Sequence, residues 1–133
     1  MQTESEARRH FDGGKLFILQ HPFGGGSNYH SEMYPNAIYN NNVLIGFFMY
    51  KRTESQADTA IIYRFMVDDR FQRKGLEEKA LEYILRGLKI QGVRKVVLLI
   101  DGANENTKQL CLSLGFHFTG KQDKSGYYYE AAL

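Results

Sequence analysis

The sequence predicts an α/β (α+β) protein, a mixed central sheet with helices packed on both faces, in the order β-β-β-α-β-α-β-β. Three observations predict this class. Thr59–Val67 is a mostly apolar run, typical of a strand buried on both faces. Residues 76–89 place apolar side chains at helical spacing. A second apolar run, Lys95–Ile100, follows, and the β-α-β order implies that the two strands run parallel.

The amino-terminal part is predicted to be irregular up to the first hairpin. Residues 1–14 are polar and are expected to form a short helix or a frayed arm. Residues 15–20 (KLFILQ) form a short strand candidate. Residues 21–36 hold both prolines and a run of three glycines, which predicts a loop.

A hairpin is predicted next, with strands at residues 37–39 and 43–50 around three consecutive asparagines. Asparagine tolerates the positive φ angles that tight hairpin turns require, and the second run is rich in β-branched and aromatic residues. Residues 51–58 are polar and are expected to connect this hairpin to the strand at Thr59–Val67.

The carboxyl-terminal part is predicted to contain a second, shorter helix and a closing hairpin. The helix covers residues 104–114 and is stopped by Gly115. The hairpin strands are residues 116–121 and 127–131, joined around residues 123–126. With 133 residues, the chain is expected to form one domain over residues 1–133.

Composition excludes several classes of function. A net charge of +2 is too weak to indicate a nucleic-acid partner or an anionic membrane surface. No apolar run approaches the roughly 20 residues that a membrane span needs. One cysteine rules out an internal disulfide and a cysteine-rich zinc site, and the four histidines lack metal-ligand spacing, so no metal site is predicted. The expected compartment is the reducing cytoplasm.

The stretch from Phe65 to Glu78 is the segment in which we expect chemistry, because a charged turn joins a buried strand to a long helix. The first N–H groups of a helix have no internal partners, and the helix dipole adds about half a positive charge there. Gly75 would let a phosphate approach the backbone, while Arg70, Arg73 and Lys74 would supply mobile positive charge. The turn therefore suits a pyrophosphate.

Two signatures in this part of the chain resemble the GNAT acyltransferase superfamily. The family's pyrophosphate loop reads Gln/Arg-x-x-Gly-x-Gly/Ala, and residues 72–77 (QRKGLE) match its first glutamine and first glycine. Residues 65–71 resemble the strand and turn that precede this loop in the family. Residues 104–116 resemble its signature Asn-x-x-Ala-x-x-Leu-Tyr-x-x-x-Gly-Phe. The run of residues 39–120 is most similar to bacterial spermine/spermidine acetyltransferases.

The resemblance implies an N-acetyltransferase that uses acetyl-CoA and a small-molecule amine acceptor, with a polyamine as the first expectation. Acetyl-CoA would lie between two splayed parallel strands, where a strand amide near Phe65 would stabilise the oxyanion. Backbone groups of the strand would pair with the pantetheine arm, and amides of the following turn would hold the pyrophosphate. The residues implied for cofactor binding are Phe65, Met66, Val67, Gln72, Arg73, Lys74, Gly75, Leu76, Glu77 and Asn104, and those implied for catalysis are Cys111 and Phe65.

Three residues depart from the family's pattern. Glu77 stands where the family has glycine or alanine; it either faces the phosphates or points to solvent, and the second interpretation is favoured because acids are common in first helical turns. Cys111 takes the place of the tyrosine general acid; its reference pKa of about 8.5 permits proton donation, yet its short side chain and apolar helix face favour a core residue. Tyr63 replaces the acid of polyamine-type relatives and is interpreted as a sheet aromatic rather than a pocket wall.

The sequence does not identify the general base or the form of the acceptor site. The candidate bases are Glu54, Asp58 and Asp68. Residues 1–36 are shorter than the corresponding region of the family, so the acceptor site is open, completed by a second subunit in a homodimer, or lost. The alternative function is a catalytically weak or inactive CoA-binding or structural relative.

Overall fold

The computed structural model describes residues 16–20, 34–53, 58–72 and 75–133. The strands are β1 (Leu16–Gln20), β2 (Tyr34–Asn40), β3 (Val43–Arg52), β4 (Thr59–Val67), β5 (Lys95–Ile100), β6 (His117–Asp123) and β7 (Gly126–Ala132). The helices are α1 (Asp69–Gln72), α2 (Leu76–Ile90) and α3 (Glu105–Ser113). The seven strands form one sheet in the spatial order β1-β2-β3-β4-β5-β7-β6, which confirms the mixed α/β class.

The first four strands form an antiparallel meander. β2 and β3 are joined by Asn41 and Asn42, whose φ angles of 54° and 67° confirm the predicted asparagine turn. The prediction of a loop up to residue 36 is wrong for its last three residues, because β2 begins at Tyr34. Asn36 pairs with a residue of β1 on one side and of β3 on the other, and its side chain is buried. Pairing with β1 on one side and β3 on the other therefore makes β2 longer than its apolar residues alone predict.

The second half of the sheet contains the predicted parallel pair. Residues 59–62 of β4 pair in parallel with residues 95–98 of β5, and α2 forms the crossover between them. β5 then pairs antiparallel with β7, and β7 with β6, so the closing hairpin is also confirmed. The predicted element order needs two corrections: four strands rather than three precede the first helix, and the short α1 was not predicted.

The core lies between α2, α3 and one face of the sheet. The predicted apolar stripe of α2 is buried or half-buried, and Tyr83, which the stripe omitted, is buried as well. The sheet presents alternate buried residues to this core: Ala60 and Ile62 of β4, Val96, Leu98 and Ile100 of β5, and Tyr129 and Ala131 of β7. α2 and α3 contact each other, because the Thr107 hydroxyl donates to the Glu77 carboxylate.

Other fold predictions are corrected or left open. β4 was expected to be buried on both faces, but Arg64 and Met66 are exposed, because β4 parts from β5 after Ile62. Helix cover on the second face of the sheet stays a prediction. The predictions for residues 1–14 and for the glycine run at residues 24–26 lie outside the described residues. In the described part of the chain, no helix is long and apolar enough to cross a membrane.

Candidate functional site

A β-bulge in β4 lies where β4 and β5 separate. One step along β3, from Met49 to Tyr50, corresponds to two steps along β4, from Arg64 to Ile62, so Tyr63 is the extra residue. Pairing with β5 ends at Ile62. A bulge bends its strand and increases the local twist, and the two parallel strands therefore splay beyond this point. The run TAIIYRFMV contains neither glycine nor proline, so no local signal indicates the bulge.

A cavity of about 490 Å³ opens between the splayed strands. This volume lies within the range of sites for small molecules and cofactors. The cavity is lined by residues 63–66 of β4, residues 98–101 at the end of β5, Asn104 and Thr107 of the α3 start, and Ser125 of the last turn. Its position at the carboxyl ends of two parallel strands is the usual place for ligand binding in α/β sheets.

The start of α3 is fixed beside the cavity by local hydrogen bonds. The Asn104 side chain accepts a bond from the Thr107 backbone N–H at 3.1 Å and so caps the helix. The Asp101 carboxylate accepts a bond from the Ala103 N–H at 3.0 Å, which orders the turn before it. Asn104 was a predicted site residue, whereas Asp101 and Thr107 were missed. Asp101 directly follows a buried strand, and this position is the sequence signal that could have found it.

The predicted cofactor strand contributes two of its three residues to the cavity. Phe65 and Met66 line it, while the Val67 side chain is buried in the core. The Asp68 N–H donates to the Ile45 carbonyl at 2.7 Å, which ties the end of β4 back to β3. The free edge of β4 therefore faces the cavity over residues 63–66.

The start of α2 has the backbone features that an anion site requires. Gly75 is its N-cap, with a φ of 76°, and brings no capping side chain to that position. A Cβ added at Gly75 would meet nothing within 4 Å, so the surrounding space is open. Within residues 16–20, 34–53, 58–72 and 75–133, no side-chain cap is found for the first N–H groups of the helix, which suits a ligand or water. Gly75 and Leu76 do not line the cavity, Leu76 being half-buried against the core.

Some residues of the predicted loop cannot be placed. Arg73 and Lys74 lie outside the described residues, and of Gln72 only the backbone, at the end of α1, is described. Their predicted contacts with a pyrophosphate stay predictions.

Arg70, one of the three expected mobile cations, forms an exposed ion pair in the structure. Its guanidinium donates to both oxygens of the Asp68 carboxylate, each at 3.1 Å. Hydrogen bonds from the Arg70 side chain, and a further one from the Arg70 backbone N–H, hold the pKa of Asp68 below its ordinary value. Asp68 is therefore a weak candidate for the general base. Asp58 lies before β4, at the end opposite the cavity, and Glu54 is outside the described residues.

Glu77 points towards α3, so the favoured interpretation of a solvent-facing carboxylate is wrong. The Thr107 hydroxyl donates to its carboxylate at 3.5 Å, and the side chain is half-buried. Burial raises the pKa of Glu77, the bond from Thr107 opposes this rise, and the charge of Asp69 adds to it. A carboxylate in the first turn of α2 thus lies beside a residue that lines the cavity.

Cys111 lies in the core, 0% exposed, and does not line the cavity. Burial, with a smaller contribution from the charge of Glu77, raises the pKa of its thiol to about 12. This placement agrees with the interpretation of a core residue. The role of general acid stays a prediction, and a thiol that holds its proton so tightly is poorly suited to it.

Tyr63 lies in the wall of the cavity, the less favoured of its two interpretations. The Lys51 ammonium lies 5.9 Å from the centre of its ring. Arg64 and Ser125 also line the cavity and were not predicted. Ser125 is far from β4 in the sequence, and only the pairing of β7 with β5 brings it there.

Comparison with known proteins agrees with this geometry. Residues 4–116 match the family model described as Acetyltransferase (GNAT) family. The chain is similar to Spermine/spermidine N(1)-acetyltransferase of Bacillus subtilis (strain 168), with 30% identity over 98 residues, or 69% of this chain and 64% of that protein. The matched region therefore spans just under two thirds of this relative's length.

Solved structures share the fold at low identity. An acetyltransferase from Thermus thermophilus aligns with a TM-score of 0.65 and 22% identity, over 78% of this chain and 66% of its own. PaiA N-acetyltransferase from Thermoplasma acidophilum, in complex with coenzyme A, aligns at 0.65 and 19%, over 77% and 62%. A GNAT family acetyltransferase from Elizabethkingia anophelis with acetyl-CoA bound aligns at 0.68 and 15%, over 90% and 99%.

Proposed function

The chain belongs to the acetyltransferase (GNAT) family, and on this premise we propose that it transfers an acetyl group from acetyl-CoA to a small amine. The observation that carries the proposal is the gap between β4 and β5, which opens at the bulge in β4. The uncapped start of α2 follows β4 directly in the chain. A gap with free strand edges suits an extended arm with amide groups, and an uncapped helix start suits its phosphates.

In this proposal the donor is held mainly by backbone groups. The free edge of β4 at Phe65 and Met66 pairs with the pantetheine amides, and the amides that follow Gly75 bind the diphosphate. Asn104 is held rigid by its own capping bond and closes the cavity on the α3 side. The coenzyme A and acetyl-CoA complexes of the two structural neighbours support this choice of donor.

The chemistry needs three contributions: a base that takes a proton from the acceptor nitrogen, a donor that stabilises the oxyanion, and an acid that protonates the leaving thiolate. The acceptor nitrogen attacks the thioester carbonyl, and a strand amide near Phe65 stabilises the oxyanion that forms. The C–S bond then breaks, and the leaving thiolate takes a proton. We assign Cys111 to the core rather than to this proton transfer, because it is buried and its thiol pKa is about 12. Tyr63 and Ser125 carry hydroxyl groups and line the cavity, so we propose them as the alternative proton donors.

The second candidate function is that of a CoA-binding relative with little catalysis. The buried Cys111 and the carboxylate of Glu77 near the phosphate turn favour it. Both candidates predict binding of coenzyme A, but only the first predicts release of free thiol from acetyl-CoA when an amine is added.

Thiol release in the presence of an amine panel is the experiment that tests the proposal. We expect acetyl-CoA to be consumed only when an acceptor is present, with one acetylated amine formed for each thiol released. Binding of coenzyme A without any turnover across diamines, amino acids and aromatic amines would contradict the enzyme and leave the second candidate.

Several finer points belong to the same proposal. The Bacillus subtilis relative makes a polyamine the first acceptor to test, although Tyr63 is not the acidic residue that a polycation needs. A single domain is supported by the one sheet that runs from β1 to β7. A homodimer that completes the acceptor side and a cytoplasmic location complete the proposal, the latter supported by the single cysteine.

A further inference from the structure

Two tyrosines flank one leucine in a row across three strands beside the cavity. Ile62 pairs with Leu98, so Tyr63 and Leu99 are the next residues of their strands, and Leu99 pairs with Tyr128 of β7. Tyr63 and Leu99 line the cavity. The pKa of Tyr128 is raised, chiefly by a hydrogen bond to Asp123, and the nearby Tyr63 adds to the rise. The row therefore brings two tyrosines close together, and one of them, Tyr63, lies in the cavity wall.

Each of these tyrosines carries a lysine ammonium near its ring. The Lys51 Nζ lies 5.9 Å from the Tyr63 centroid, and the Lys121 Nζ lies 4.6 Å from the Tyr128 centroid. Both distances are within the reach of a cation–π contact. The row thus combines aromatic rings with positive charge.

Two carboxylates near this row are engaged by neighbouring side chains, whereas Asp101, which lines the same cavity, accepts a bond from the Ala103 N–H. Asp123 accepts a bond from the Tyr128 hydroxyl at 2.9 Å and lies close to Lys121. Glu130, two residues along β7, is paired with Lys95 at 3.7 Å and lies 3.5 Å from His117. Lys51 has no carboxylate partner within residues 16–20, 34–53, 58–72 and 75–133. Lys51 does not itself line the cavity, but it places a positive charge without a described ion-pair partner beside the Tyr63 ring, which does.

We propose that the acceptor is an amine that also carries a carboxylate, which Lys51 binds while Tyr63 packs against the carbon chain. This inference rests on the proposed transfer from acetyl-CoA and names its acceptor class. A second ammonium, as in a polyamine, would be placed beside Lys51 and repelled. A carboxylate at the same place gains an ion pair.

Two acceptors that differ only in their distal group test the inference. γ-Aminobutyrate and putrescine have the same number of carbons, and one ends in a carboxylate where the other ends in an amine. We expect kcat/KM for γ-aminobutyrate to exceed that for putrescine by at least about fivefold, the size of one exposed ion pair. Equal values, or a preference for putrescine, would overturn the inference.

The Lys51→Gln variant assigns the preference to one side chain. It is expected to lower kcat/KM for γ-aminobutyrate about fivefold through KM, and to raise kcat/KM for putrescine because the repulsion between the two ammonium groups is removed. Lys89→Gln removes an exposed lysine in the last turn of α2 and serves as the matched control, with no change for either acceptor. Tyr63→Glu is expected to shift the preference towards putrescine. A Lys51→Gln enzyme with the wild-type ratio would sink the proposal.

A binding measurement separates failure of this inference from failure of the proposed function. Calorimetry with coenzyme A shows whether the donor site exists, and titration of each acceptor into the CoA-saturated protein shows which one binds. If coenzyme A binds and γ-aminobutyrate does not bind more tightly than putrescine, the acceptor class is wrong while the donor site stands. If coenzyme A itself does not bind, the proposed function is wrong.

Discussion

Glu77 is the single side chain that most directly opposes a bound diphosphate. Its carboxylate lies in the first turn of α2, close to the helix start that we propose as the phosphate site. Replacing it with glutamine keeps an oxygen that can accept the Thr107 bond and removes the charge. We predict that Glu77→Gln tightens coenzyme A binding by about two- to fivefold, as expected for one partly screened charge. Calorimetry measures this change.

Glu78 provides the control for that prediction, because it is an exposed acid in the same first turn. Glu78→Gln is expected to change coenzyme A affinity less than Glu77→Gln. Equal effects of the two variants would show that the overall charge of the helix start matters and that the inward orientation of Glu77 does not.

The raised pKa of Glu77 also predicts how stability depends on pH. An acid whose pKa rises on folding holds its proton more tightly in the folded state, so its contribution is favourable at low pH. That contribution is lost as pH rises from the ordinary value of 4.5 through the raised value. Glu77→Gln should therefore raise Tm at pH 7 more than at pH 4. A Tm difference that does not change with pH would contradict burial as the cause of the raised pKa.

Cys111 is predicted to be chemically inert in the folded protein. A thiol pKa of about 12, against about 8.5 for a free thiol, leaves roughly a thousandfold less thiolate at neutral pH. Ellman's reagent should accordingly react at least about a thousandfold more slowly with native than with unfolded protein. We also expect Cys111→Ala to retain kcat, whereas loss of a general acid costs about a hundredfold or more.

The sequence predicted the site residues that lie in recognisable motifs, and it did not predict those that strand pairing brings to the cavity. Phe65, Met66 and Asn104 lie in a strand and a helix cap that the motifs mark, and all three line the cavity. Ser125 reaches it only through the pairing of β7 with β5. The orientation of Glu77 depends on Thr107, thirty residues further along the chain, and no local pattern predicts that contact.

At the level of elements, the contact between β3 and β4 supports the site. Gly46 lies opposite the end of β4, and a Cβ there would come within 2.9 Å of the Val67 Cα and still closer to the Met66 carbonyl oxygen. The backbones of the two strands therefore approach each other at a place where only glycine fits. Any side chain would push the end of β4 towards the cavity.

Gly46→Ala is predicted to destabilise the fold by about 1–3 kcal/mol and to weaken coenzyme A binding, because residues 66 and 67 must shift. Gly87→Ala is the matched control. Gly87 lies within α2 with nothing within 4 Å of an added Cβ, so alanine there should stabilise the protein by about 0.5–1 kcal/mol. Denaturant unfolding of both variants checks the pair. Equal stabilities would contradict the close approach of β3 and β4.

Helices and strands with a clear apolar pattern were predicted with correct or nearly correct bounds. Strands whose length depends on pairing with neighbouring strands were predicted too short. α2 matched its apolar stripe, and β4 and β5 were bounded as predicted. β2 is longer than predicted because its polar first residues are held by β1 and β3. The bulge at Tyr63 is visible only in the pairing register, yet it opens the gap on which the proposed function depends.

For the whole molecule, the order of the strands explains why one end of the sheet is open. β4 and β5 are the parallel pair within an otherwise antiparallel sheet, and they separate towards their carboxyl ends. The β-α-β order predicted this pairing, and the family resemblance predicted the splay. The acceptor class could not be predicted from sequence, because it depends on side chains of three strands that meet only after folding.

A crystal structure of the protein with coenzyme A tests the proposed donor site most directly. We predict density for the pantetheine arm between β4 and β5, bonded to backbone groups of Phe65 and Met66, with the diphosphate at the amides that follow Gly75. Coenzyme A bound elsewhere on the protein would contradict this site. Ladder pairing of β4 with β5 that continues beyond Ile62 and closes the gap would contradict it equally.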